Sequence, residues 1–206
     1  MGDAFSPLEV WQGDATLGLE LADYLAQLRG AGLNTLPGTA AEILHEEVRE
    51  RLCPDKLDSD QWLQVMETAH RAGLRSTATI MYGHIDHPRS WANHLEVIRR
   101  IQRRTHGFTE MVPLSFVHMG SPIYLQGRAR SGPTWDEVVL IHAVSRIAFD
   151  GLIDNIQTSW VKLGLDGAGR LLDAGCNDLG GTLMGEIITR SAGASHGQEM
   201  TPAEFE

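Results

Sequence analysis

At 206 residues with 42% hydrophobic side chains, the chain suits one domain with a substantial core. A net charge of −10 argues against nucleic-acid binding driven by counterion release. No run approaches the ~20 apolar residues of a membrane span, and residues 1–5 lack the basic and apolar stretch of a secretory signal, so a cytoplasmic protein with no membrane partner is expected.

Residues 5–11 read as a strand end and loop. A helix is expected over 16–28, with Leu17, Leu21, Tyr24, Leu25 and Leu28 on one face and Gly30 and Gly32 at its end. Residues 33–37 read as a short strand entering a turn. Residues 40–52 follow as a helix striped by Leu44, Val48 and Leu52. Asp58-Ser59-Asp60-Gln61 is a capping box, opening a helix that turns Trp62, Val65, Met66 and Ala69 inward and ends at Gly73. A strand over 75–82 comes next. Pro88 starts a helix with the stripe Trp91, Leu95, Ile98 and Ile101. Arg99, Arg100, Arg103 and Arg104 lie on that helix and read as a solvated face.

Residues 108–117 are strand-like. A long loop rich in glycine and proline follows over 119–133. Thr134-Trp135-Asp136-Glu137 is a second capping box, opening a helix through Phe149. Residues 152–163 read as a strand, 171–174 as a short helix, 176–182 as a glycine-rich turn and 183–191 as a last helix. Alternating strands and helices imply parallel βα units, here with about five or six strands. A complete eightfold barrel takes ~250 residues. The expected fold is therefore α/β, a partial (βα) TIM-type barrel over 1–193 with its first units missing and a polar tail over 194–206.

Catalytic groups of such barrels sit at the C-terminal ends of strands. Five segments fit that position. Gly83-His84-Ile85-Asp86-His87 leaves the strand over 75–82, and its glycine allows close backbone approach to a ligand. His118 ends the strand over 108–117, ahead of the long loop. The stretch 155–162 is unusually polar, with Asn155, Gln157 and Ser159 on one face if extended. In Asn177-Asp178-Leu179-Gly180-Gly181-Thr182, backbone donors and Thr182 can hold a carboxylate or phosphate ahead of a helix. In Pro37-Gly38-Thr39-Ala40-Ala41-Glu42, a Thr39–Glu42 capping box accounts for every residue, and a ligand role for Glu42 stays open. Each has a plain structural reading as a polar loop or cap. The two cysteines, Cys53 and Cys176, have no CxxC spacing and cannot by themselves hold an iron–sulfur cluster or a structural zinc.

Several of these segments in order resemble a known family: 5–10 (Phe-Ser-Pro-Leu-Glu-Val), 36–44 (Leu-Pro-Gly-Thr-Ala-Ala-Glu-Ile-Leu), 53–56 (Cys-Pro-Asp-Lys), 79–84 (Thr-Ile-Met-Tyr-Gly-His), 107–110 (Gly-Phe-Thr-Glu), 112–119 (Val-Pro-Leu-Ser-Phe-Val-His-Met) and 177–182 (Asn-Asp-Leu-Gly-Gly-Thr). They look like the tyrosine-using radical SAM half of FO synthase, the 5-amino-6-(D-ribitylamino)uracil–L-tyrosine 4-hydroxyphenyl transferase family. The futalosine enzymes of the menaquinone pathway are similar but less so. The resemblance covers about 4–198 of the chain and implies a radical SAM barrel. It also implies S-adenosylmethionine and a 4Fe-4S cluster as cofactors, and tyrosine and the diaminouracil as substrates. The reaction it implies transfers a tyrosine-derived hydroxybenzyl fragment to the uracil, making the deazaflavin precursor of coenzyme F-420.

With that resemblance, strand-end position places Gly83, His84, Asp86 and Glu42 on the cofactor side. It places His118, Gln157, Asn177, Asp178 and Thr182 on the substrate side. Two departures stand out. The family usually carries glutamate where Asp86 stands. Its Cys-x-x-x-Cys-x-x-Cys cluster loop belongs upstream of Ala4 and is absent from this sequence. The chain is thus expected to be the C-terminal portion of the enzyme, inactive alone. Its partner would be the N-terminal barrel half or a companion FO synthase subunit. Two other readings remain open: a metal-dependent hydrolase with His84, Asp86 and His118 as ligands of one divalent ion, and a non-catalytic fragment.

Overall fold

The computed structural model describes residues 5–181 together with 191 and 193. Four parallel strands form one sheet in the order β1-β2-β3-β4: β1 (Thr35–Leu36), β2 (Arg75–Tyr82), β3 (Phe108–Ser115) and β4 (Asn155–Ile156). Helices α1 (Pro7–Leu17) and α2 (Leu21–Gly30) precede β1. Helices α3 (Glu46–Leu52) and α4 (Ser59–Arg71) connect β1 to β2, and α5 (Pro88–Thr105) connects β2 to β3. The connection from β3 to β4 holds α6 (Pro122–Leu125) and α7 (Trp135–Ala148), and α8 (Trp160–Asp173) follows β4. Sequential parallel strands with helical crossovers are the βα architecture expected, and they are compatible with a partial barrel. Among the described residues, no helix is long and apolar enough to cross a membrane.

Strand register sets two faces. Ala78, Ile80 and Tyr82 lie opposite Met111, Pro113 and Ser115. Ala78, Ile80, Tyr82 and Met111 pack with Trp91, Leu95 and Ile98 of α5 and with Val138 and Ile141 of α7 in the main core. The alternate residues, Thr77, Thr79 and Met81 opposite Glu110, Val112 and Leu114, form the other face. A smaller core joins Val10, Leu21 and Leu25 of the first two helices to Val65 and Ala69 of α4. The inward stripes of α4 and α5 are those the helical spacing predicts, and Trp62, Met66, Ile98 and Ile101 are completely buried.

Local chemistry overturns several expectations. Residues 5–11 are not a strand end. Ser6 and Glu9 form a capping box around Pro7, with the Ser6 N–H donating to Glu9 Oε2 at 2.7 Å, so a helix starts there. The single helix over 16–28 is two, parted at Gly18 with φ 64°. The helix over 40–52 begins only at Glu46, because Ala40 and Glu42 have φ of 65° and 44°. The expected Thr39–Glu42 box is therefore not formed. The strand over 152–163 is cut to Asn155–Ile156. Ser159 is already the N-cap of α8, which runs on to Asp173 and takes in most of the short helix expected over 171–174. The sheet has four strands among the described residues rather than five or six; Gln157 and Asp178 add an isolated parallel bridge at its end. The loop over 119–133 contains α6. The boxes at Asp58 and Thr134 form as read. The tail over 194–206, Thr182 and all but Ser191 of the helix over 183–191 lie outside the described residues.

Candidate functional site

Because all four strands run the same way, their C-terminal ends share one rim. Residues 37–38, 83–84, 116–118 and 157–159 leave the sheet there. The loop from Pro37 to His45 is clamped from every side. The Gly38 N–H donates to Thr77 Oγ1 at 2.8 Å, and Thr79 Oγ1 donates to the Gly38 carbonyl at 2.6 Å. A Cβ on Gly38 would stand 2.6 Å from the Thr77 carbonyl oxygen, so only glycine permits this approach. Met81 N–H donates to the Glu42 carbonyl at 2.7 Å. Asn93 Nδ2 donates to the Leu44 carbonyl at 2.7 Å, and the Leu44 N–H donates to His94 Nδ1 at 3.0 Å. From below, Arg49, only 2% exposed, donates to the carbonyls of Ala40, Ala41, Ile43 and Leu57. Two non-glycine residues at positive φ cost about 1–3 kcal/mol each and persist only in a loop over-determined in this way. The clamps hold the Glu42 side chain at the rim, where it pairs with Lys56 Nζ at 2.5 Å.

The turn after β2 is self-satisfied. Asp86 Oδ1 accepts the N–H groups of Gly83 at 2.9 Å and His84 at 2.6 Å, and its Oδ2 accepts the Trp91 indole. Burial alone would raise the Asp86 carboxyl. His84 beside it and these N–H donors outweigh that and hold it below the ordinary value. His84 is 1% exposed, and burial lowers its pKa against the pull of Asp86, so the ring is neutral at pH 7. Its Nδ1 accepts the Ile85 N–H at 2.7 Å, which assigns the proton to Nε2, facing the Met81 carbonyl at 3.0 Å. Gly83 has φ 94°, and a Cβ there would lie 2.4 Å from Pro133. The 119–133 loop docks on this turn: the Arg130 N–H donates to the His84 carbonyl at 3.1 Å, and its guanidinium pairs with Glu137 at 2.6 Å. Gly83, His84, Asp86 and Glu42 are thus neighbours. His84 and Asp86, however, spend their polar atoms on the turn.

At the other end of the sheet, Gln157 Nε2 donates to Glu110 Oε2 at 3.0 Å on the face opposite the main core. The Thr158 N–H donates to the Asp178 carbonyl at 2.8 Å, and Asp178 Oδ1 accepts the Gly180 N–H at 2.7 Å. Gln157 and Asp178 come together as the sequence suggests. Asn177 does not join them. Its Oδ1 accepts the Ile156 N–H at 2.9 Å and Arg146 Nη2 at 2.7 Å, and its Nδ2 donates to the Asp154 carbonyl at 3.1 Å. Those contacts bind it to the start of β4 and the last turn of α7, away from the rim. His118 lies between the two groups, its ring edge-on to Tyr124 at 4.5 Å. It lines a cleft of about 330 Å³ with Phe116, Pro133, Trp135, Lys162 and Leu163.

Sequence reading passes over Arg49, Arg130, Trp135 and Lys162 as site residues. Assigning 152–163 to one strand hides Lys162; the helical first turn of α8 is what brings it to the cleft. Metal chemistry finds no ligand set here. Among the described residues, no three His, Cys, Asp or Glu side chains converge. Of the three ligands expected of a hydrolase, His84 and Asp86 lie 3.2 Å apart with their polar atoms held by the turn, and His118 stands edge-on to Tyr124 instead of joining them. An iron–sulfur cluster does not fit the thiols of this chain either. Cys53 and Cys176 are buried, and burial pushes both up, Cys176 to about 12, whereas cluster ligands are thiolates.

Residues 105–202 match the family described as the CofH/MqnC C-terminal region. Over 201 residues, 98% of this chain, the sequence is 53% identical to the 5-amino-6-(D-ribitylamino)uracil--L-tyrosine 4-hydroxyphenyl transferase of Methanopyrus kandleri, spanning 54% of that protein. It is 51% identical to the protein of the same name from Methanocaldococcus jannaschii, spanning 56% of it. It is 54% identical to the FO synthase of Mycobacterium leprae, spanning 23% of that longer protein. The chain therefore covers about half the length of the transferases it matches and about a quarter of the FO synthase. Identity at this level along nearly the whole chain, on a parallel α/β sheet with its polar loops at one rim, leads to one conclusion: residues 105–202 belong to the family described as the CofH/MqnC C-terminal region, and the chain as a whole is similar to these transferases.

Proposed function

We propose that this chain forms the substrate-binding part of a radical SAM transferase that joins the 4-hydroxybenzyl group of tyrosine to 5-amino-6-(D-ribitylamino)uracil, in formation of the deazaflavin of coenzyme F-420. The observation that carries the reading is the half-identity, over 98% of the chain, to transferases named for those two substrates. The rim supports it: the end of β3, the loop before α7 and the first turn of α8 border a largely apolar cleft of ligand size. S-adenosylmethionine and a 4Fe-4S cluster belong to this reading, with the cluster held by residues outside this sequence. Glu42 and Gly83 on one side, and His118, Gln157 and Asp178 on the other, are the positions we assign to cofactor and substrates. The contribution of these residues is orientation and exclusion of water. Thr182 is kept as a substrate-side position by sequence order alone.

The test is anaerobic reconstitution with iron, sulfide, S-adenosylmethionine and both substrates. The chain alone is expected to form no coupled product and to retain less than one cluster per molecule. Product appears when a cluster-bearing N-terminal portion of a relative is supplied in trans. Turnover by the 206 residues alone, or none with the added portion despite its loaded cluster, would overturn the reading.

A further inference from the structure

The cleft beside His118 has a lining that selects among the ligands of the proposed reaction. Phe116 and Val117 come from the end of β3, Pro133 and Trp135 from the entry to α7, and Leu163 from the first turn of α8. These are apolar or aromatic surfaces, suited to the faces of a ring. Lys162 is the one formally charged side chain among the described residues of the lining. His118, Ser115 and Ser131 add hydrogen-bonding groups that can serve the polar tip of a ring and an α-ammonium. A neutral ribityl chain with its row of hydroxyls requires many donors and acceptors and no cation. An aromatic amino acid requires apolar walls, one cation for its carboxylate and a few polar contacts for its ammonium and phenol.

We infer that this cleft is the tyrosine subsite. Its walls hold the phenol ring, Lys162 meets the carboxylate and His118 meets the phenol hydroxyl. The inference rests on the proposed function and deepens it, since it separates the two substrates: the diaminouracil is left to the Gln157–Asp178 side. Trp135 would serve as a wall while its other contact, with Arg170 at 4.3 Å from the ring centroid, keeps it in place.

Calorimetric titration of the purified chain with L-tyrosine, tyramine, L-phenylalanine and the diaminouracil tests this. Lys162→Met is expected to weaken tyrosine at least roughly tenfold and to leave tyramine, which has no carboxylate, within about twofold. His118→Leu is expected to remove the preference for tyrosine over phenylalanine. Neither change should move the diaminouracil affinity more than about twofold, which also reports that each variant is folded. Tyrosine binding that neither substitution alters would overturn the subsite while leaving the proposed function standing. A diaminouracil affinity that falls about tenfold with either substitution would overturn the assignment of the cleft to tyrosine. Wild-type chain that binds neither substrate would overturn the subsite and the functional reading together.

Discussion

Arg49→Met is expected to destabilise the protein by about 3–5 kcal/mol, read as a lower urea midpoint at unchanged slope. Arg49 is buried at 2% exposure, and its described partners are carbonyl oxygens of Ala40, Ala41, Ile43 and Leu57. Methionine fills most of the aliphatic volume, so the loss measures the hydrogen bonds rather than a cavity. Each buried carbonyl left without a donor costs about 1–3 kcal/mol, and some of the four will find water. The consequence reaches the rim. Ala40 and Glu42 stay at positive φ only while this clamp and the bonds to Leu44 hold. Arg49→Lys should recover part of the loss, since an ammonium keeps the charge but cannot span four acceptors in a planar fork. A loss below about 1 kcal/mol for the methionine variant would show that the loop is held by its other contacts.

Acid is expected to begin destabilising the protein from about pH 6.5 downward, ahead of the ordinary carboxylate range, because neutral histidines are built into its interior. His70, in the last turn of α4, holds its Nε2 2.7 Å from Ser76 Oγ of β2 and its Nδ1 2.8 Å from Thr105 Oγ1 at the end of α5. Burial, with Arg75 adding to it, lowers its pKa to about 4. His94 has no exposed surface and is lowered by burial to about 3. In the unfolded chain both titrate near 6.5. The unfolded chain therefore takes up protons that the folded chain refuses. The stability these rings contribute is fully present above pH 6.5 and is lost as pH falls from there through about 4 and then about 3. Between about pH 7 and about pH 4.5 the loss is about 2–3 kcal/mol per ring. His84 and His142, also lowered by burial, act in the same direction. Asp86 and Glu137, whose carboxyls are held low, add their own loss only at lower pH still. Urea midpoints at the two pH values check this; equal midpoints would contradict it.

How much of this is legible in the sequence depends on the range of the forces involved. The helices α4, α5 and α7 are readable because capping boxes at Asp58 and Thr134 and the apolar stripe of α5 are local signals. The box at Ser6 is equally local, but Phe5 and Val10 beside it favour a strand reading. The loop after β1 is not readable. Its sequence favours a Thr39–Glu42 box, and the bonds that defeat it come from Arg49, Thr77, Thr79, Met81 and His94, up to 50 residues away. The stretch 155–162 fails for a related reason. Its polar residues do not line one strand; Gln157 bridges to Glu110, while Ser159 ends the strand and starts a helix. Site position is legible at the level of strand ends. Orientation is not: Asp86 and Asn177 stand where the sequence puts them but turn their oxygens to backbone and indole or guanidinium donors.

The central claim is that this chain carries the substrate side of the transferase without the cluster. Equilibrium binding of L-tyrosine to the purified 206-residue chain, followed by NMR of its indole protons in iron-free buffer, tests it most directly. Saturable tyrosine binding that shifts the Trp135 signal, with no metal or S-adenosylmethionine present, is the predicted result. Folded protein that shows no tyrosine binding until a cluster-bearing N-terminal portion of a relative is added would contradict it.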